Sequence, residues 1–251
     1  MPLLDEQGRL FGLINIVDAI VVIAVIGVVV VAGLVLVPAG ETDTQPGETR
    51  YATVVFNDQP EAIASQITVG DTLSAVGGGG ETTISDTYFS PSRGDNTSRL
   101  YVRIRYDSNN PPQQQNRQFR AGRVMYFGTD EYGGRGKILA IDRPSDTLPT
   151  SRTNVTIEAT VPASVSSSLD RGDTFTFNDT TLTEVTSVSA VPVANGTRSR
   201  LRVDLTLQTI RLGYTRYFAG NRVQTGSHLP LVTDSHWIPG TVVHTAEYRQ
   251  R

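Results

Sequence analysis

The sequence predicts a mainly β chain: a single N-terminal transmembrane helix followed by two tandem, repeated antiparallel β units of sandwich or barrel-like form. Three observations predict it. From Ala19 to Val37 the chain reads AIVVIAVIGVVVVAGLVLV, nineteen residues without a polar side chain. Beyond residue 50, five sequence blocks recur in the same order, offset by 99 to 104 residues. Within each copy, apolar and polar residues alternate with the period of two that a half-buried strand requires. The resulting organisation is residues 1–12 as a cytoplasmic N-terminus, 13–37 as the transmembrane helix and 38–50 as a linker. A first β repeat follows at 51–143, a second linker at 144–151, and a second β repeat at 152–251.

At about 1.5 Å per residue, a nineteen-residue helix spans roughly 28 Å, the thickness of a bilayer core. A signal peptide is the rival reading. Its apolar stretch is usually about 7–15 residues, with a basic flank before it. Here the flank carries Asp5, Glu6 and Arg9, and the run is longer, which favours a retained helix. Pro38 ends it, because proline lacks the amide hydrogen and clashes with the preceding turn. Asp18, at the edge of the run, reads as a membrane-interface N-cap that accepts bonds from the first free amides. The short N-terminal segment favours an N-in, C-out orientation. Four sequons, at Asn96, Asn154, Asn178 and Asn195, point the same way and are the glycosylation candidates.

The repeat is read from its blocks. Pro60 to Thr72 aligns without gaps to Pro162 to Thr174, each copy ending in Gly-Asp-Thr. Thr82–Pro91 matches Thr183–Pro192, and Ser98-Arg99-Leu100 recurs as Ser199-Arg200-Leu201. The Phe119 and Phe218 blocks follow, and Thr129–Gly136 answers Thr233–Gly240. In copy one Leu100, Val102, Ile104 and Tyr106 alternate with Tyr101, Arg103 and Arg105. In copy two Leu201, Val203, Leu205 and Leu207 alternate with Arg202, Asp204 and Thr206. Further strands are expected at Ala52–Phe56, Thr72–Val76, Val124–Gly128, Lys137–Ile141, Thr174–Phe177, Thr183–Val188 and Thr241–Thr245. Short helices are expected near Glu61–Ile67 and Ala163–Leu169, each behind a proline suited to a first turn. The Gly-Asp pairs at 70–71 and 172–173 read as tight turns rather than as carboxylate sites.

Composition narrows the chemistry. The 251 residues carry a net charge of −3, too small a field to recruit nucleic acid. There is no cysteine, which excludes disulfides, thiolate metal ligands and a cysteine nucleophile. No GxSxG motif is present, and Gly77–Gly80 lacks the Gly-Lys-Ser/Thr of a phosphate loop. His228, His236 and His244 are spaced by eight in the second copy and, with Asp234, form a weak candidate metal set. The first copy has Tyr132 where the second has His236, so the fold itself does not call for these histidines. Arg99, Arg103 and Arg105 form a weak candidate basic binding face, against the plain reading of a solvated strand face.

The segment Asp5-Glu6-x-Gly8-Arg9-Leu10-Phe11-Gly12-x-Ile14-Asn15-Ile16-Val17-Asp18, followed at once by the apolar run, resembles domain-of-unknown-function family 4330. Its members are membrane-anchored proteins of bacteria and salt-loving archaea. A second likeness lies at Gly220 to Val242, abbreviated at Gly122 to Ile138. The resemblance implies membrane attachment and brings no catalytic residues. The functional expectation is a single-pass, cell-membrane protein with its C-terminal β part outside the cell and a structural, scaffolding or binding role in the envelope. It is expected to be non-enzymatic and without cofactors. Its partners are the lipid bilayer, through Ala19 to Val37, and envelope proteins or further copies of itself, with no nucleic acid. The alternatives are a pilin-like filament subunit with a hydrophobic helix and β head, or a metal-dependent enzyme in the second repeat.

Overall fold

The computed structural model describes residues 9–10, 14–15, 47–75, 78–92, 97–114, 118–129, 131–141 and 145–247. The apolar run Ala19–Val37, the cap Asp18 and the sequon at Asn96 lie outside them. Among the described residues no helix is long and apolar enough to cross a membrane. The chain divides into two compact units, Met1–Pro46 and Gly47–Arg251. In the first, strand β1 (Arg9–Leu10) pairs antiparallel with β2 (Ile14–Asn15). Ile14 and Asn15, expected at the head of the helix, are therefore extended.

The second unit is mainly β. Its first copy contains β3 (Thr49–Pro60), α1 (Glu61–Ala64), β4 (Thr72–Ala75), β5 (Thr82–Pro91), β6 (Thr97–Asp107), β7 (Val124–Gly128) and β8 (Gly133–Ala140). These strands close into an antiparallel barrel in the order β3-β6-β5-β4-β7-β8. Its second copy contains β9 (Thr150–Pro162), α2 (Ala163–Ser166), β10 (Thr174–Phe177), β11 (Thr180–Val193), β12 (Arg198–Leu212), β13 (Thr215–Phe218), β14 (Asn221–Arg222), β15 (His228–Val232) and β16 (Trp237–Glu247). The strand order is β10-β11-β12-β9-β16-β15, with β13 and β14 as a side extension. With β9 taken as β3, β12 as β6 and β16 as β8, the two orders are the same. One ring is closed and the other stops between β10 and β15.

Local chemistry explains why the copies match. Gly70 and Gly172 sit at φ +101° and +96°, where a side chain would be strained. The backbone bonds around them are equivalent: Gly70 N to Ile84 O and Ile84 N to Asp71 O, then Gly172 N to Val185 O and Val185 N to Asp173 O, all 2.8 Å. Asp71 and Asp173 then close their own turns by accepting from the Thr68 and Asp170 amides. A Cβ on Gly136 would lie 2.4 Å from Val54, and one on Gly240 would lie 2.1 Å from Ile157. Both copies need glycine there because the last strand presses on the first. The helices are shorter than expected, ending at Ala64 and Ser166, since the next residues turn back toward the Gly-Asp corner.

The interior of the barrel is filled by Val54, Phe56, Leu73, Ile84, Leu100, Val102, Ile104, Met125, Phe127 and Ile138. This is the inward half of the alternation. The outward half departs from the sequence expectation. Tyr101 and Arg103 are buried, and only Arg105 among the three expected outer residues is exposed. The second copy and the connecting segment cover that face. Val55, Tyr88, Phe89 and Tyr101 on the outside of the barrel belong to the same hydrophobic cluster as Leu182, Leu201, Leu205 and Phe218 of the second copy. Phe89 stacks on Phe177 with centroids 3.7 Å apart, and the Tyr88 hydroxyl donates to Gln208 O at 2.8 Å.

Candidate functional site

Three depressions on the second unit hold polar groups that the core does not explain. The first, about 670 Å³, is an open groove across the β4–β7 seam of the barrel, lined by Thr72, Ser74, Glu81, Tyr126, Glu131 and Tyr132. At its margin the Tyr132 hydroxyl donates to Asp71 Oδ2 at 2.5 Å. Thr68 adds a backbone bond at 2.9 Å and a hydroxyl bond at 3.0 Å to the same carboxylate. Burial pushes the Asp71 carboxyl up, but the donors from Tyr132 and Thr68 outweigh it and hold the group below its ordinary value. Burial, then the neighbouring Asp71, pushes the Tyr132 hydroxyl up. The groove thus presents two tyrosine rings and fixed negative charge.

The same corner in the second copy is built differently. Thr233 and His236 reproduce the turn of Thr129 and Tyr132, with amide-to-carbonyl bonds of 2.9 and 2.8 Å. The side chain then reaches elsewhere: His236 Nε2 lies 2.9 Å from Ser168 Oγ, and the Asp173 carboxylate stays within its own turn. Register separates the three histidines. His228 pairs with Thr241 at one end of the β15–β16 hairpin, while His236 occupies its turn. His244 is exposed opposite Thr156. Asp234 is used at the open seam, its amide donating to Thr174 O at 2.9 Å and its carboxylate accepting from Thr176 N at 3.4 Å. Among the described residues no three His, Asp or Glu side chains form a group that could hold a metal ion.

The second depression, about 620 Å³, lies between the copies and is lined by Thr53, Arg103, Leu139, Leu148, Arg211 and Gly213. Arg103 is 2 % exposed. Its Nε donates to Ser145 O and its Nη1 to Thr53 Oγ1, both at 2.8 Å, and the guanidinium stands 5.6 Å from the Tyr51 ring centroid. The expected basic face is therefore not one surface. Arg99 lies against Gly220 of the second copy, Arg103 staples the connecting segment, and Arg105 faces solvent. The burial of Arg103 had no local sequence signal, because the segment that covers it is about forty residues away. A third depression, about 440 Å³, borders His228, Arg200 and Glu158.

The described sequon asparagines have conformational roles. Asn178 and Asn195 sit at φ +44° and +56°, where asparagine is tolerated better than most residues. Asn178 also donates to Ser65 O in the other copy at 3.1 Å. Asn154 lies in the central strand β9 and accepts from the Thr206 hydroxyl.

Comparison with the curated proteins and with the solved structures gave no match. One family does match, over residues 1–98, which run from ahead of the apolar stretch into the start of β6. The likeness noted at Gly220 to Val242 lies outside that span. The matching family is described as Domain of unknown function (DUF4330), and the match covers the first 98 of the chain's 251 residues.

Proposed function

We propose that the chain is a membrane-anchored, extracytoplasmic protein that binds or scaffolds other components of the cell envelope. The observation that carries this reading is the joining of the apolar run Ala19–Val37 to a unit whose two β copies are held together by a shared hydrophobic cluster on the outer face of the barrel. A tethered body of this kind presents its surface within the reach of a short linker from a bilayer, which suits display rather than turnover. The Asp71–Tyr132 pair supports binding over acid–base chemistry. Its carboxyl is held low and its phenol high, so both pKa values are moved away from the neutral range where a general acid or base is most effective. The groove beside the pair, with Tyr126, Tyr132, Glu81 and Glu131, suits a cationic segment of a partner protein.

The test is membrane fractionation combined with protease treatment of intact cells. The expected result is a chain that resists alkaline extraction and loses its β unit to external protease. Release by alkali, or protection of the β unit in intact cells with cleavage after lysis, overturns the reading. Crosslinking before solubilisation then identifies the partner, and Glu81→Lys with Glu131→Lys should reduce its capture.

A further inference from the structure

We propose that the tip of the β12–β13 hairpin, with Tyr214 and the arginines around it, rests on the anionic headgroups of the bilayer that anchors the chain. This inference rests on the anchored reading above and assigns a lipid-contact surface to a specific part of the β unit.

Among the described residues the hairpin belongs to the second copy alone. Leu212 pairs with Thr215 across the two-residue turn Gly213-Tyr214, and Gly213 has φ +65°, as a type II′ turn requires at its first position. The second position of such a turn makes no demand for an aromatic residue. Tyr214 nevertheless occupies it with its side chain fully exposed, the most exposed large hydrophobic residue among those described. Arg211 and Arg216 face each other one step behind, and Arg211 is exposed. Tyrosine favours the bilayer interface, where its ring meets the acyl boundary and its hydroxyl stays wet. Arginine near an anionic leaflet adds attraction of its own.

The order of contacts between the copies shows which end of the unit the tip occupies. On the outer face of the barrel, Ser90 meets Gly220, Tyr88 meets Gln208, and Arg103 shares a cleft with Leu212 and Gly213. Moving along β6 from Arg99 toward Asp107 therefore runs with β12 toward its tip. Thr49, the first residue of β3, pairs with Asp107, so the tip and the chain's entry into the barrel share one end. Arg105 is exposed on the same outer face just beyond Arg103. The acidic groups described at this end include Glu48, Glu81, Asp107 and Asp146, and Glu81 is exposed level with Asp107. Glu48 lies 3.3 Å from Arg50, and Asp107 accepts from the Asn109 amide in its own loop. Residues 38–48 separate the apolar run from Thr49, and fully extended they reach at most about 40 Å. The covalent tether therefore holds Thr49, at the tip's end of the unit, within that distance of the apolar run.

Because the chain has no cysteine, one label can be placed without background. Full-length Tyr214→Cys carrying an environment-sensitive fluorophore is reconstituted into vesicles of phosphatidylcholine, alone or mixed with phosphatidylglycerol, with a quencher attached to the lipid. The control is Val191→Cys, also exposed, opposite Arg200 and so about 40 Å along β12 from the tip. The expected result is quenching at 214 in the anionic vesicles and none at 191. Replacing Arg105 or Arg211 by Ser should weaken the contact about fivefold each. Quenching at 214 that is unchanged in pure phosphatidylcholine, or equal at both positions, overturns the proposal. A silent label at 214 in a chain that stays in the vesicles under alkali also overturns it, while leaving the anchor intact. A chain that leaves the vesicles under alkali removes the anchor and this inference together.

Discussion

The two copies share a strand order, two Gly-Asp corners and a pair of close-packed glycines, yet one ring closes and the other does not. In the barrel, β4 pairs with β7 through Ser74–Gly128 and Ala75–Phe127. In the second copy the equivalent strand β10 makes no ladder with β15, and Asp234 bridges the gap with its amide and carboxylate. The side chains explain the difference. Leu73 and Ala75 point into the barrel and are buried. At the matching positions the second copy has Phe175 and Phe177, which pack against Phe89 of the first copy at 6.2 and 3.7 Å between centroids. One scaffold serves as a sealed core in the first copy and as half of a junction in the second.

That contrast can be broken most severely at Phe89. Phe89→Ala should cost about 3–5 kcal/mol, as for other buried aromatics. Because its cluster joins the two copies, denaturant unfolding should change from one transition to two. Ala75→Phe carries the second copy's residue into the closed ring. It should cost about 1–3 kcal/mol by overpacking and raise hydrogen exchange at the Ala75 and Phe127 amides of the β4–β7 seam. An unchanged exchange pattern would show that side-chain size does not decide closure.

Tyr88 gives the next largest effect. Tyr88→Phe removes the bond to Gln208 O and should cost about 1 kcal/mol. Burial raises the Tyr88 hydroxyl above its ordinary 10.0. A folded-state pKa above the unfolded one makes this contribution complete below pH 10 and lost as pH rises beyond it, so the variant should be less alkali-sensitive than the parent. Asp234→Ala should cost about 0.5 kcal/mol, since its carboxylate bond is long and exposed, and should speed exchange of the Thr176 amide. The smallest effect is at the barrel's corner. The Asp71 carboxyl is held below 3.8, so its contribution is present above that pH and lost as pH falls through the lowered value. Tyr132→Phe should raise the titration midpoint of Asp71, read by NMR, and lower stability slightly at neutral pH, where the bond's contribution is present.

Much of this is legible in the sequence. β7 and β10 occur at the residues the alternation marks, Val124–Gly128 and Thr174–Phe177, because turns bound them on both sides. β3, β11 and β16 extend past their expected ends, since neighbouring strands give their polar terminal residues ladder partners that hydropathy does not register. The candidate site was less legible. Tyr132 was marked only as the counterpart of His236, and its bond to Asp71 crosses sixty-one residues.

The sequence alone determined the duplication, the β period and the glycines that permit each corner, because these depend on neighbours a few residues apart or on copies that align. It also determined a nineteen-residue apolar run, which is a property of composition. Tertiary structure decided which faces are wet. Tyr101 and Arg103 alternate as solvent-facing residues should, yet both are buried because a second copy and its connector lie across them. It also decided that one ring closes and the other opens. That outcome depends on whether two side chains of β10 fit inside their own copy or against Phe89 of the other, a matter of volume across a junction that no local pattern encodes.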